Sequence, residues 1–319
     1  MINVLKKSVS SLLASAAILA IAPTVSAKEF PAKPIEVIVP FPAGGSTDLM
    51  ARATAREMTE IFGQNVVVDN RGGGAGTVGM AALARERPDG YTIGLVPAAP
   101  LVNQPHMRRT PYDLDKFGYV CQLFSSPQAL AVKPGSQFEN LDQLVGYAKQ
   151  HPGELTYGTP GPGTLPHLAM ERFLQLANVK IEHVPFTGDG PGATALMGGH
   201  IDLYMTMTNV VKDRNFAAIA VFSEAPLDSM PKVNTAVAQG YDMTAAWWGG
   251  VIAPKGIPED VTTRLTEGCK LTAASDRFAE TLDNLGTEVL YRNPAEFEQY
   301  VRDVSETNKQ LINSVIKAN

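Results

Sequence analysis

Residues 37–48 read Val-Ile-Val-Pro-Phe-Pro-Ala-Gly-Gly-Ser-Thr-Asp, and no other stretch constrains the fold of this chain as tightly. A β-branched run suited to a pleated strand breaks at Pro40, which has no amide hydrogen to give to a sheet ladder. Pro42 repeats the break. Gly44 and Gly45 then open into a helical pattern that starts at Ser46, Thr47 and Asp48. A strand that becomes a helix within a few residues is the building unit of an α/β sheet. The first amides of such a helix have no partner inside it, and the aligned peptide dipoles place partial positive charge there. A helix start bared by glycine is suited to hold an anion.

The same grammar recurs along the chain. Short β-branched runs at 35–39, 66–69 and 91–96 alternate with helical patterns at about 47–62 and 76–86. A further strand region spans 120–133 and meets the turn signal Lys133-Pro134-Gly135. Helices are expected at 141–150, about 166–176 and about 191–197, and strands at 155–158, 180–185 and 201–207. The tail from Pro258 reads as helical. Strands alternating with helices predict an α/β fold with a parallel or mixed sheet covered on both faces. The chain is expected to build one lobe, cross to a second near 125–131 and return near 247–254, leaving a cleft between them.

The first 27 residues look like an export signal. Lys6 and Lys7 form a basic start, residues 12–21 an apolar core, and Val25-Ser26-Ala27 a small-residue cleavage site. That core is shorter than the roughly 20 apolar residues of a membrane-spanning helix. Cleavage after Ala27 leaves 319 − 27 = 292 residues, enough for two lobes of ordinary size. Without Lys6 and Lys7 the chain holds 27 − 2 = 25 basic against 32 acidic residues, a formal charge of −7. That balance argues against a general nucleic-acid or anionic-membrane surface. An anionic ligand would then be held by local amides and dipoles. Cys121 and Cys269 either form one disulfide in an oxidising compartment or stay buried thiols.

Each remaining motif carries two readings. Asp48 either caps its own helix or joins a ligand site made by the amides and hydroxyls of Gly45, Ser46 and Thr47. Residues 74–79 spell Gly-Ala-Gly-Thr-Val-Gly, a literal dinucleotide fingerprint. It follows the second strand, though, and the next acid, Asp89, sits in a Pro-Asp-Gly-Tyr turn, so tight packing beside the first loop is expected instead. Residues 158–167 repeat the strand, glycine turn and helix start; Thr164 is placed to cap, and His167 either meets a ligand or bonds to backbone. Asp189, before Gly190-Pro191, is an expected helix cap, with a ligand acceptor as the alternative. Trp247 and Trp248 fall where the chain recrosses. No Gly-x-Ser-x-Gly elbow appears, His167 and Glu171 are not the His-Glu-x-x-His of a zinc helix, and the five histidines lack metal-ligand spacing. No catalytic residue, metal ligand or cofactor is assigned.

Several stretches together resemble a known family. They include residues 30–35 and 39–48, Gly63-Gln64, Val68-Asp69-Asn70-Arg71, Pro88-Asp89-Gly90-Tyr91-Thr92 and Pro111-Tyr112-Asp113. Further on stand Gly163-Thr164 with His167, residues 184–188, Gly198-Gly199-His200-Ile201-Asp202 and Trp248-Gly249-Gly250. The series is similar to the extracytoplasmic substrate-binding proteins of tripartite tricarboxylate transporters, the Bug receptors. That resemblance implies a two-lobed periplasmic-binding-protein fold of the Venus-flytrap, type II-like kind. It implies a signal peptide at 1–27, one lobe from 28–124 plus 248–319, and a second from 125–247. It also implies a monomeric periplasmic receptor that binds an organic carboxylate and passes it to a membrane permease. It places the ligand at the loops 42–48 and 158–167, and with Phe186 and Met205 expected to line an apolar wall by residue type, the ligand-binding set comprises Phe41, Ala43, Gly44, Gly45, Ser46, Thr47, Asp48, Ala98, Ala99, Gly163, Thr164, His167, Phe186, Thr187, Asp189 and Met205. Thr159-Pro160-Gly161-Pro162, Asp189 and Arg108-Arg109 depart from the usual family pattern.

With no cation inside the loops at 42–48, 97–100 or 158–167, and with Asp189 nearby, a mono- or dicarboxylate, aromatic ones included, is expected over citrate. Arg71, Arg108 and Arg109 are the cations placed to change that. A periplasmic hydrolase using Ser46 and His167, or a ligand sensor for a signalling partner, are the alternative functions.

Overall fold

The computed structural model describes residues 29–162, 164–186 and 188–316. The expected signal peptide over 1–27 therefore lies outside the described residues. Strand β1 (Ile35–Val39) runs parallel between β2 (Val66–Asn70) and β3 (Thr92–Pro97). Parallel neighbours need crossover connections, which α1 (Ser46–Phe62) and α2 (Thr77–Leu83) supply. The period-2 alternation of β1 sends Ile35, Val37 and Val39 to one core and Ile38 to the opposite face. Met50, Ala51, Ala55 and Met58 form the stripe by which α1 covers the first of these faces.

The spine of the molecule is β4 (Phe117–Val132), a single 16-residue strand. It pairs antiparallel with β9 (Ala246–Pro254) from Phe117 opposite Pro254 to Pro127 opposite Ala246. β9 in turn pairs with β3, and β10 (Glu288–Arg292) pairs with β4 beyond it. From Gln128 onward the partners of β4 are β7 (Leu203–Met207) and β8 (Ala217–Val221). Beyond β7 lie β5 (Thr156–Thr159) and β6 (Glu182–Pro185), parallel to each other and to β7. One strand thus runs through both sheets of a two-lobed fold and changes partners between Pro127 and Gln128.

In the first lobe, α8 (Glu259–Ala273) and α9 (Asp276–Asn284) join α1 on one face. The other face is covered by α10 (Pro294–Leu311), whose Phe297 and Val301 pack with Tyr119 and Trp248. In the second lobe, α4 (Leu141–Gln150) and α5 (Leu165–Ala177) cover Leu130, Val132 and Tyr157. The reverse face, with Ala129, Ala131 and Tyr204, is covered by α6 (Asp189–Met197) and α7 (Thr208–Asp213). Cys121 of β4 and Cys269 of α8 are disulfide-bonded across the first core, with Cα atoms 6.4 Å apart. That resolves the choice between bridge and thiols.

Three expectations need correction. The tail from Pro258 is not helical throughout, because Glu288–Arg292 is drawn into the sheet as an edge strand on β4. β8 has no counterpart in the sequence reading, since its Ala-rich run lacks a clear strand alternation. The helix expected over 76–86 is shorter, Thr77–Leu83, because Gly74–Gly76 form a tight turn before it and the amides of Arg85 and Glu86 tighten to three-residue turns after it.

Candidate functional site

Register places the ends of the parallel strands against each other. Pro97, at the carboxyl end of β3, is level with Gly249 and through it with Phe124 of β4. Met207, at the carboxyl end of β7, is level with Gln128. β3 runs in the same sense as β4 and β7 in the opposite sense, so the two ends point toward one another. Four residues of β4 separate them, about 13 Å at roughly 3.3 Å per residue. Ligands of open α/β sheets bind outside such carboxyl ends. The turns after β1, β3, β5, β6 and β7 therefore bound an inter-lobe cleft.

The first wall is the start of α1. Gly45 is its N-cap residue, and no side chain caps it. Gly44 holds φ at +84°, a left-handed conformation glycine adopts without strain, and a Cβ there would meet nothing within 4 Å. Asp48 is not a cap for the first amides. Its carboxylate accepts from the Gly44 amide at 2.8 Å, from Arg52 Nε at 2.9 Å and from Asn70 Nδ2 at 3.0 Å. Burial alone would raise its pKa, but these three partners together hold it below the usual carboxylate range. The Asp48 side chain thus braces the turn through Gly44, Arg52 and Asn70. Ser46 stands exposed, whereas Thr47 is nearly buried. Ala43 is exposed, Phe41 half-buried, Ala99 half-buried and Ala98 fully covered.

The glycine-rich stretch at 74–79 packs against this wall. A Cβ on Gly76 would lie 2.7 Å from Pro100 Cβ and 3.3 Å from Phe41 Cζ. On Gly79 it would lie 2.6 Å from Pro40 Cα. Close approach to the first loop, rather than room for a pyrophosphate, accounts for these glycines.

The second wall is built on α5 and α6. Thr164 is the N-cap of α5, accepting from the His167 amide at 3.4 Å and donating to the Gly161 carbonyl at 2.7 Å. His167, on the first turn of α5, is packed inside the second lobe. It is buried, its ring stacks on His183, and its Nε2 lies 3.7 Å from Glu171. Asp189 is the first residue of α6, behind a Gly188 N-cap, so it is not the cap. Its Oδ1 receives the Tyr204 hydroxyl at 3.0 Å and the Thr206 hydroxyl at 2.7 Å. Met205 is fully buried in the α4–α5 core, on the opposite strand face, so it lines no cleft wall. Phe186 is half-buried against Tyr204. Gly163 and Thr187 lie outside the described residues.

Tyr204 and Thr206 were not singled out from the sequence. Their signal was there: two hydroxyl residues two apart on a strand share a face, next to a helix that begins with an acid. Of the three arginines, Arg71 is consumed by Asp69 at 2.5 Å, Glu36 at 2.6 Å and Glu86 at 3.1 Å. Arg108 and Arg109 are exposed. Trp248 is buried against Phe297 and Tyr300, and Trp247 tilts onto Phe124 with ring centroids 5.0 Å apart. Among the described residues, no three His, Cys, Asp or Glu side chains gather in a metal-binding group. No described helix is long and apolar enough to cross a membrane.

The family described as the tripartite tricarboxylate transporter family receptor matches residues 50–316. Protein BugT of Bordetella pertussis is 33% identical over 291 residues, covering 89% of each chain. The crystal structure of a TctC solute-binding protein from Polaromonas superposes with a TM-score of 0.85 at 29% identity, over 90% of this chain and all of that one. An R. palustris structure with adipate gives a TM-score of 0.69 at 26% identity, over 89% of this chain and 98% of that one. MatC of Rhodopseudomonas palustris, with bound malate, gives 0.66 at 25% identity over 89% of this chain and all of that one. This chain belongs to the tripartite tricarboxylate transporter receptor family, whose members are solute-binding receptors.

Proposed function

We propose that the mature chain is a periplasmic receptor that captures a small dicarboxylate in the inter-lobe cleft and hands it to the membrane permease of a tripartite transporter. The observation that carries this reading is the uncapped start of α1 at the cleft, with Gly44 tied back by Asp48 so that the next amides stay available. One carboxylate of the ligand sits there, among Phe41, Ala43 and the amides of Gly45, Ser46 and Thr47. Ala98 and Ala99 flank it, and the starts of α5 at Thr164 and of α6 at Asp189 close over it from the other lobe. Export by the leader at 1–27 accompanies this role. The lobes divide as 28–124 plus 248–319 and 125–247, supported by the exchange of β4 partners after Pro127.

Low ligand charge follows from the cations. Arg71 is already paired with three acids, and a half-exposed guanidinium so engaged gives little to a further anion. The related structures with adipate and malate hold dicarboxylates, which supports the same class. A hydrolase built on Ser46 and His167 is disfavoured because the imidazole is committed to His183 and Glu171 inside the second lobe.

Calorimetric titration of C4–C6 dicarboxylates, an aromatic dicarboxylate and citrate tests the reading. A dicarboxylate is expected to bind at least about tenfold tighter than citrate, a difference of about 1.4 kcal/mol. Citrate binding tighter by that margin overturns the selectivity, and failure of every carboxylate overturns the receptor role. Ligand that binds should also draw the lobes together and shrink the radius of gyration in solution scattering.

A further inference from the structure

A cavity of about 360 Å³ lies beside the hinge, where α5 of the second lobe meets α10 of the first. Its size is at the small end of ordinary ligand sites, which run from about 300 to 1,000 Å³. Leu165, Leu168, Trp248 and Leu311 give it an apolar lining, with Gln128, Arg172 and Tyr300 as polar groups among them. Apart from Leu165, none of these residues belongs to the strand-to-helix turns that bound the cleft.

Two unmet demands converge on this space. Gln128 is 1% exposed, and its side-chain carbonyl oxygen has no hydrogen-bond partner among the described residues. A buried amide oxygen left unpaired has lost its water without replacement, and a donor in the cavity would satisfy it. Arg172 is half-buried and makes no ion pair or hydrogen bond among the described residues. Burial works against its charge, with Asp242 and Tyr300 giving only longer-range support. The lining also carries Glu224, which has a cationic partner, and Asp303, which has only a neutral one. Glu224 pairs with Arg292, and Asp303 accepts from Gln299 at 2.9 Å. Arg292 is further held by Gln122 at 2.6 Å and lies over the Tyr300 ring.

We propose that this cavity is a second small-molecule site, taking an amphipathic monocarboxylate that also carries a hydrogen-bond donor. The carboxylate pairs with Arg172, the donor meets Gln128, and the apolar body packs on Trp248 and the α5 leucines. The inference stands apart from the identity of the cleft ligand.

The probe is 3-phenyllactate, titrated into the full mature chain by calorimetry, with 3-phenylpropionate as the analogue lacking the hydroxyl donor. Saturable binding is expected, weaker for 3-phenylpropionate. Arg172→Leu and Gln128→Leu are each expected to weaken it tenfold or more, and Ala169→Leu to block it by filling the cavity, with circular dichroism reporting the fold. Ser46→Asp, which places negative charge at the start of α1, should leave phenyllactate binding unchanged while abolishing carboxylate capture in the cleft. Absence of saturation in the millimolar range overturns the proposal. So does wild-type affinity in any folded cavity variant, or loss of phenyllactate binding in Ser46→Asp, which would place the probe in the cleft. Cleft binding that survives Ser46→Asp would instead count against the receptor reading alone.

Discussion

The imidazoles of His167 and His183 stack with ring centroids 4.2 Å apart and planes 14° from parallel. The first belongs to the opening turn of α5 and the second to β6. Tyr157 stacks on the far face of His183 at 4.8 Å, and Thr159 Oγ1 meets His183 Nε2 at 2.8 Å. Two rings so close cannot both take a proton without repulsion across a poorly solvated gap.

Stability of the second lobe is therefore expected to fall on acidification. Burial, with the His167 ring adding to it, lowers the pKa of His183 from 6.5 to about 4. Burial lowers His167 as well, opposed by Glu171. Between about pH 4 and 6.5 the unfolded chain binds more protons than the folded one, so stability rises with pH across that window. The contribution of His183 is complete above its unfolded value and is lost as pH falls toward 4. A depression of that size is worth at most about 3–4 kcal/mol, and less where solvent screens the partly exposed ring. Thermal unfolding of the wild type should show a steeper drop between neutral and acid pH than His183→Gln. Parallel profiles would separate the stack from acid sensitivity.

Ser46→Pro probes the bare helix start without disturbing the helix. Position 46 is the first helical residue, where proline is favoured, and Gly45 already has the extended ψ of 168° that a following proline requires. The substitution deletes one amide donor and the hydroxyl. A charge-assisted hydrogen bond is worth about 1.5–3 kcal/mol, so ligand affinity is expected to fall roughly 10- to 100-fold with little change in Tm. Unaltered affinity would remove this turn from the site.

The bridge between Cys121 and Cys269 closes a separation of 148 residues within the first core. Constraining a loop of that length removes about 5 kcal/mol of unfolded-chain entropy in the simplest account, and native bridges commonly deliver about 2–5 kcal/mol. Both sulfurs are fully buried, so Cys121→Ala/Cys269→Ala adds a small cavity cost. Denaturant unfolding of the double variant should show a lower midpoint by that amount, with ligand affinity retained because the bridge is remote from the cleft turns. An unchanged midpoint would mean that the core holds β4 and α8 together without it.

The parts of this fold that were legible in the sequence are those governed by local chemistry. The Pro-Gly-Gly turn before α1, the Thr164 cap and the alternation of β1 all follow from residues within a few positions of one another. What escaped depends on distant partners. β10 is a strand because β4 offers it an edge, and Asp48 points backward because Asn70, 22 residues away, meets it there. His167 was judged by its place on a helix start, but the ring that claims it lies on another strand. Met205 was judged a lining residue by type, whereas strand period decides its face and sends it to the α4–α5 core. The Gln128 amide needed the hinge itself to be seen, since nothing near it in sequence marks it as unpaired.

Asp189 bears on ligand charge, and its bonds make the question separable from folding. Its Oδ1 accepts both the Tyr204 and the Thr206 hydroxyls, so an amide oxygen at the same position keeps both bonds. Asp189→Asn therefore removes one negative charge from the start of α6 while preserving the hydrogen bonds that position it. A carboxylate of the ligand about 4 Å from that charge would feel roughly 4 kcal/mol of repulsion at an effective dielectric of 20, and less where water intervenes. Citrate carries one more charge than adipate or malate and so stands to gain more from the substitution. Its affinity is expected to rise about tenfold relative to a C4–C6 dicarboxylate, with Tm little changed, and the gain should shrink at high salt. An unchanged ratio between citrate and the dicarboxylate would show that Asp189 faces its two hydroxyls alone and takes no part in selecting the ligand.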